Sequence, residues 1–314
     1  MRLVTISEIE AAAQRVVGTA VRTPLLRQPW VSGELWLKPE SLQQIGAFKI
    51  RGAYNAIAAL DETDRARGVV AYSSGNHAQA VAYSAHTFGV PAVIVVPDVA
   101  PRLKVDATRR WGAEVVEVPI AEQAPAALAI AEERGLTLIP PFDHPDVIAG
   151  QGTVGLEIAA DLPDVDTVLV PVSGGGLAAG VGTAIKALCP GAKVYGVEPE
   201  LAADSAEGLR AGHRVDWPME LRARTIADGL RAQPSELTFA HLRAVLDGIV
   251  TVTEDEILDT VRTLAGQARL VAEPSGATAV AAFLHRSGEL PGGRTVAVVS
   301  GGNIDPALLA KLLA

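Results

Sequence analysis

The chain has 314 residues, 49% of them hydrophobic and 20% charged, with a net charge of −9. That length can bury a substantial core in one large or two moderate domains, and the apolar residues are scattered at helix and strand spacing without a run of membrane length. No basic run interleaved with aromatics marks a nucleic-acid partner, and the single cysteine, Cys189, excludes an intrachain disulfide, reads as a core residue and fits a reducing cytoplasm.

The first stretch, "TISEIEAAAQRVVG", predicts a helix with Ser7 and Glu10 at capping-box spacing, unlike the basic-then-apolar pattern of a secretion signal. A strand is expected at 34–38, followed by "PESLQQIGAFKIRG" and a helix through "RGAYNAIAAL", which places Lys49 at or near the start of that helix. A lysine there can be an ordinary surface residue with Phe48 as simple packing, or it can be functional. Next come "GVVAY" (68–72), "AVIVV" (92–96), "EVVEV" (114–118) and "LTLIP" (136–140), separated by helical stretches. Continuous apolar strands alternating with helices predict a parallel sheet covered on both faces, so the chain is an α/β protein. The block at 66–144 reads as a small domain. "PPFDHP" at 140–145 reads as the return to a larger domain made of 1–65 and 145–314, with strands at 167–172, 193–198 and 295–300.

In open α/β sheets ligands gather at the carboxyl ends of strands, so the residues that follow each strand carry the functional signal. After 68–72 comes the polar loop Ser73, Ser74, Gly75, Asn76 and His77, then a helix. Such a loop can be a plain N-cap, or its backbone N–H groups and side chains can hold a carboxylate or a phenolate oxygen. After 167–172 comes Ser173-Gly174-Gly175-Gly176, then a small-residue helix. Three glycines serve no packing purpose, but they let backbone N–H groups converge on a phosphate at the helix's positive end. A dinucleotide fingerprint competes, with Gly174 and Gly176 before a strand that ends in Glu198, although the G-x-G-x-x-G spacing is absent. Ser300 stands at the mouth of the last strand, with Gly301, Gly302 and Asn303 after it.

"GAFKIRGA", "SSGNHAQA", "PVSGGGLAAG" and "VSGGN", in this order, resemble the pyridoxal-phosphate enzymes of the tryptophan synthase β-subunit fold, known as fold type II. "SSGNHAQ" and "FDHPDVIAGQGT" (142–153) are similar to the serine/threonine dehydratase and serine racemase branch. The resemblance implies two doubly wound α/β domains, the larger holding the cofactor and the smaller carrying a substrate loop, and a homodimer. It also implies that Lys49 forms the Schiff base with pyridoxal phosphate, that Phe48 covers one ring face and that Asn76 bonds the phenolic oxygen. Ser173, Gly174, Gly175, Gly176 and Leu177 would hold the phosphate through their backbone, and the Ser73-to-His77 loop would take the substrate carboxylate. Ser300 would meet the pyridine nitrogen, where a hydroxyl in place of a carboxylate suits β-elimination over transamination.

The activity implied is loss of water from L-serine or L-threonine, giving a 2-oxo acid and ammonia; serine or aspartate racemisation and hydroxyaspartate cleavage are the alternatives. Ser74 matches the position where racemases of the branch keep a serine, on the ring face opposite the lysine. Glu198, Ala202 and Asp204 in "GVEPELAAD" match a divalent-cation site of the branch, with oxygen ligands that suit Mg²⁺ or Ca²⁺. The same acids can otherwise be solvated surface residues after a strand.

Overall fold

The computed structural model describes residues 2–73, 75–100 and 102–314. Its strands are β1 (Leu26–Arg27), β2 (Glu34–Pro39), β3 (Val69–Tyr72), β4 (Ala92–Pro97), β5 (Glu114–Val118), β6 (Thr137–Leu138), β7 (Thr167–Pro171), β8 (Lys193–Pro199), β9 (Gly248–Val252) and β10 (Arg294–Val299). One sheet runs β1-β2-β10-β7-β8-β9, parallel except for β1, and a second runs β5-β4-β3-β6, parallel throughout.

Alternation along each strand explains why both faces are covered. Side chains one residue apart point to opposite faces of a sheet. On β10, Val296 and Val298 join Val168, Val170 and Val194 beneath Val154 and Ile158 of the helix Pro145–Asp161 and Val181 and Ile185 of the helix Gly176–Leu188. Ala297 and Val299 face the other way, with Leu35, Leu37 and Leu169, beneath the helices Glu254–Thr263 and Pro274–His285. In the smaller sheet Val70, Val93 and Val95 pack on Ala127 of the helix Gln123–Arg134. Val69, Ala71 and Ile94 pack on the helix Asn76–Phe88 and on Ile50, Ala53 and Ile57 of the helix Lys49–Ala59. Among the described residues no helix is long and apolar enough to cross a membrane.

Two elements differ from the sequence expectation. The first helix is Ile6–Arg15, so its N-cap is Thr5, whose backbone N–H donates to the Glu8 carboxylate at 2.9 Å; Ser7 lies inside the first turn, and the Ser7–Glu10 box does not form. Strand β9, "GIVTV", was not expected, because five residues after a helix give too short an alternation to stand out. It closes the large sheet against β8, with Glu198 opposite Thr251.

Two features then place the site. Residues 45–48 lie along 300–303: Ala47 bridges Gly301, Phe48 N donates to Ser300 O at 3.0 Å and Gly302 N to Gly46 O at 2.8 Å. The helices Lys49–Ala59 and Pro145–Asp161 touch backbone to backbone, since a Cβ on Gly150 would stand 2.5 Å from the Arg51 carbonyl oxygen. A larger residue at 150 would drive these helices apart.

Candidate active site

Lys49 is the first residue of its helix, half-buried, and its Nζ donates to the Pro141 carbonyl at 2.7 Å and stands 5.2 Å from the centre of the Phe48 ring. Burial alone lowers its pKa to about 8, because the ammonium loses hydration without gaining a carboxylate. The strip joining 45–48 to 300–303 pairs the backbone of Phe48, the residue before Lys49, with Ser300 at the end of β10. There Ser300 is buried, and among the described residues its Oγ makes one long contact, 3.4 Å, to the Ser275 carbonyl. A hydroxyl so weakly held can turn to a better partner.

At the end of β3, Ser73 Oγ accepts from Gly75 N at 3.2 Å, and a Cβ built on Gly75 would meet nothing within 4 Å. Ser74 lies outside the described residues. Asn76 Nδ2 donates to Glu273 Oε1 at 2.6 Å, while Asn76 Oδ1 accepts from Asn303 Nδ2 at 2.7 Å. These partners on both ends fix which way the Asn76 amide faces and leave one N–H to donate elsewhere. Glu273 is buried, and burial, with Asp228 adding to it, raises its pKa to about 7. His77 is buried, with Nε2 2.8 Å from the Ile139 carbonyl and Nδ1 without a partner among the described residues. Burial, then the nearby Lys49, pushes its pKa down to about 3, so it stays neutral.

Between β7 and the helix Gly176–Leu188 the glycines prove to have a packing reason, contrary to the sequence expectation. A Cβ on Gly174 would come 2.3 Å from the Phe142 ring, one on Gly176 3.0 Å from Phe142 Cβ, and Gly175 has φ +86°. Phe142 is pressed into the loop, and its neighbour Pro141 holds Lys49. Ser173 Oγ, meanwhile, accepts from Ala232 N at 3.0 Å, and Leu177 is buried at the helix start. The three glycines are buried and open the helix Gly176–Leu188, so their backbone N–H groups lie at a helix N-terminus, where a phosphate is favoured.

Glu198, the penultimate residue of β8, is buried and accepts from Ser205 N at 3.2 Å and Ala206 N at 2.8 Å. Burial first, and Asp204 second, lift it to about 8; burial lifts Asp204 to about 6 and leaves its Oδ2 without a partner. Ala202 is buried in the short turn between them. No group of three or more His, Cys, Asp or Glu that could hold a metal occurs among the described residues, so a cation here would rest on two carboxylates and a carbonyl.

Glu273, Asn303, Phe142 and Pro141 were given no role in the sequence. The one usable signal was Glu273, a lone acid in "LVAEPSGATAVAAF". Asn303 and Phe142 were visible only as parts of motifs.

Residues 17–301 match the family profile described as pyridoxal-phosphate dependent enzyme. The chain belongs to this family. As a member of the pyridoxal-phosphate dependent enzymes, it is 45% identical to the L-threonine ammonia-lyase of Thermotoga maritima over 99% of this chain and 78% of that one. It is 39% identical to the L-threo-3-hydroxyaspartate ammonia-lyase of Saccharomyces cerevisiae over 98% and 96%. Maize serine racemase superposes with a TM-score of 0.94 at 37% identity, over 99% of this chain and 97% of that one. The maize enzyme therefore shares the fold described above.

Proposed function

We propose that the protein removes water from a β-hydroxy amino acid, L-serine or L-threonine, releasing a 2-oxo acid and ammonia. The observation that carries this reading is Lys49. In a pyridoxal-phosphate enzyme, it is a half-buried amine with a lowered pKa that donates to a backbone carbonyl, and it follows Phe48, whose backbone pairs with Ser300. Lys49 would hold the cofactor covalently, Phe48 would lie against its ring, Asn76 would donate its free N–H to the phenolic oxygen, and Ser300 would meet the ring nitrogen. The backbone of Ser173 to Leu177 would take the phosphate. When bound, the cofactor supplies the electron sink that accommodates the pair left by a broken Cα–H bond.

Every other part falls to the chain. A carboxylate of the substrate would be received by backbone N–H groups of the 73–77 loop, ahead of the helix Asn76–Phe88, which fixes the Cα–H bond in direction. Once the substrate's own amine has taken its place on the cofactor, the Lys49 amine, kept partly uncharged by burial, would accept the Cα proton. That proton and the hydroxide lost from Cβ together make the water released. Hydrolysis of the remaining enamine gives ammonia and the 2-oxo acid. Ammonia assays with serine, threonine, both 3-hydroxyaspartate diastereomers, O-acetylserine and O-phosphoserine test the reading. Release from serine or threonine supports it; release only from an O-acetyl or O-phospho amino acid would overturn it.

Racemisation is the second reading, supported by the likeness to maize serine racemase, with Ser74 as the acid on the ring face opposite Lys49. Glu198, Asp204 and the Ala202 carbonyl would hold Mg²⁺ or Ca²⁺. The support is Asp204 Oδ2, a buried carboxylate oxygen with no donor beside a second buried acid, an arrangement that a cation relieves.

A further inference from the structure

Behind Lys49, on the far side of its helix, four charged side chains meet out of solvent. Residues two apart on a helix project about 200° apart, so Arg51 points away from the face that carries Lys49. Its side chain has no exposed surface, and nor do those of Lys38 and Glu40; Glu157 keeps 13%. Arg51 Nε and Nη2 donate to the two oxygens of Glu40 at 2.7 and 2.9 Å, while Nη1 and Nη2 donate to the two oxygens of Glu157 at 2.6 and 2.9 Å. Lys38 Nζ donates to Glu157 at 2.6 Å and to the Thr23 carbonyl at 2.5 Å. Thr23 Oγ1 and Gln43 Nε2 supply further donors to Glu40. Two cations and two anions balance, and the guanidinium is forked to a carboxylate on both sides.

Such a cluster does little for stability, because desolvating four charges offsets their attraction and an apolar filling is often as stable. Its geometry suggests another use. Glu40 directly follows β2, whose Pro39 is paired with Val299, so Glu40 and Ser300 are the next residues along neighbouring strands. Arg51 is on the Lys49 helix. Glu157 is on the helix Pro145–Asp161, whose entry contains Pro141 and Phe142, the residues that hold the Lys49 amine and fill the glycine loop. The three elements that bear on the site are therefore tied together from behind through one planar side chain.

We propose that the buried Lys38–Glu157–Arg51–Glu40 network sets the position of the Lys49 amine relative to Ser300 and Pro141, with Arg51 as the positioning residue. The proposal rests on the assignment of Lys49 as the covalent anchor. It adds that the amine is placed by charges it never touches. Arg51→Lys keeps a charge but cannot fork to two carboxylates at once. Arg51→Met with Glu40→Gln removes one charge of each sign and leaves the Lys38–Glu157 pair balanced.

The full chain, stripped with hydroxylamine and remixed with pyridoxal phosphate, reports the rate at which the visible band returns as a function of pH. Borohydride reduction and peptide mapping of the wild type first check Lys49 itself, so a label elsewhere defeats the anchor assignment separately. With the label on Lys49, both variants should attach cofactor between about tenfold and a hundredfold more slowly, the loss that follows an ångström-scale displacement of a reacting group. The midpoint of the pH dependence should move, and kcat should fall more than KM rises. Rates, midpoint and kcat within twofold of wild type, in whichever of the two variants folds, would overturn the proposal. Arg51→Lys, which keeps bulk and charge, is the variant that decides if the double substitution does not fold.

Discussion

At Lys49 one number decides between a surface lysine and a reactive one. An ordinary lysine is almost wholly protonated at pH 7, whereas with a pKa of about 8 roughly a tenth of the amines are free. Attachment of pyridoxal phosphate should therefore speed up as pH rises through 8 and level off above it, and Lys49→Met should abolish the visible band. The linked stability has a definite sign. The folded value lies below the unfolded one, so between pH 8 and about 10.5 the unfolded chain binds more protons, and the cofactor-free protein should gain stability as pH rises through that window. Lys49→Met should flatten that gain, which chemical denaturation at several pH values would show. Ser74 makes a different prediction. Elimination needs one base, but racemisation needs proton donors on both faces of a planar carbanion. Chiral chromatography of unconsumed L-serine should then show D-serine with wild type and none with Ser74→Ala, while ammonia release persists. Equal D-serine from both would remove Ser74 from the reaction. Lys49, Asn76 and Ser300 stand out in the sequence as candidates because each is a polar residue within a short motif at the start of a helix or the end of a strand. The partners that aim them were not, since Glu273 and Asn303 come from distant segments that only the fold brings to Asn76.

Elements were legible where periodicity was strong. The continuous apolar runs of β4, β7 and β10 announce strands buried on both faces, whereas the five-residue β9 and the two-residue β1 are defined by their neighbours. The glycine loop shows the limit of reading by composition. Its glycines were attributed to anion binding alone, yet two of them also accommodate Phe142, which no local pattern could reveal. This double duty is testable with Gly174→Ala. A Cβ 2.3 Å from an aromatic ring must push the ring or the loop aside, at a cost of about 1–3 kcal/mol for overpacking. Thermal melts should show a lower midpoint, and dialysis should strip pyridoxal phosphate faster than from wild type. Adding Phe142→Leu should recover part of the melting temperature. A variant as stable and as retentive as wild type would mean that the loop yields freely and that its glycines serve packing little.

For the whole molecule, the remaining question is what holds the strand ends of the large sheet that would bear the cofactor together, and the proposed cation offers an answer. Glu198 leaves β8 one residue beyond Val197, which pairs with Pro171 at the end of β7, and β7 leads directly into Ser173 and the glycines. An ion bound by Glu198, Asp204 and the Ala202 carbonyl would brace the strand beside the phosphate loop. Without an ion, burial holds Glu198 largely protonated up to about pH 8. Its folded value is raised above the unfolded one, so its contribution is fully present below about pH 4.5 and is lost as pH rises through 8. A cation reverses this trend, because it binds the carboxylate and must displace the proton, so its affinity should climb with pH across the same window. At a hundred times its dissociation constant an ion adds about 2.7 kcal/mol, equivalent to several degrees in melting temperature for a chain of this size. Chelator should therefore lower the melting temperature more at pH 8.5 than at pH 6.5, and Mg²⁺ or Ca²⁺ should restore it. Loss of the ion should also speed the release of pyridoxal phosphate, since the braced strand β8 pairs with β7, from which the loop continues. Glu198→Gln should remove the response to chelator at both pH values and, having no proton to lose, should leave the cofactor-free protein less sensitive to pH between 6.5 and 8.5. A melting temperature and a cofactor off-rate that ignore chelator at both pH values would leave Glu198 as a buried neutral acid capping the turn at Ser205 and Ala206, with no ion beside it.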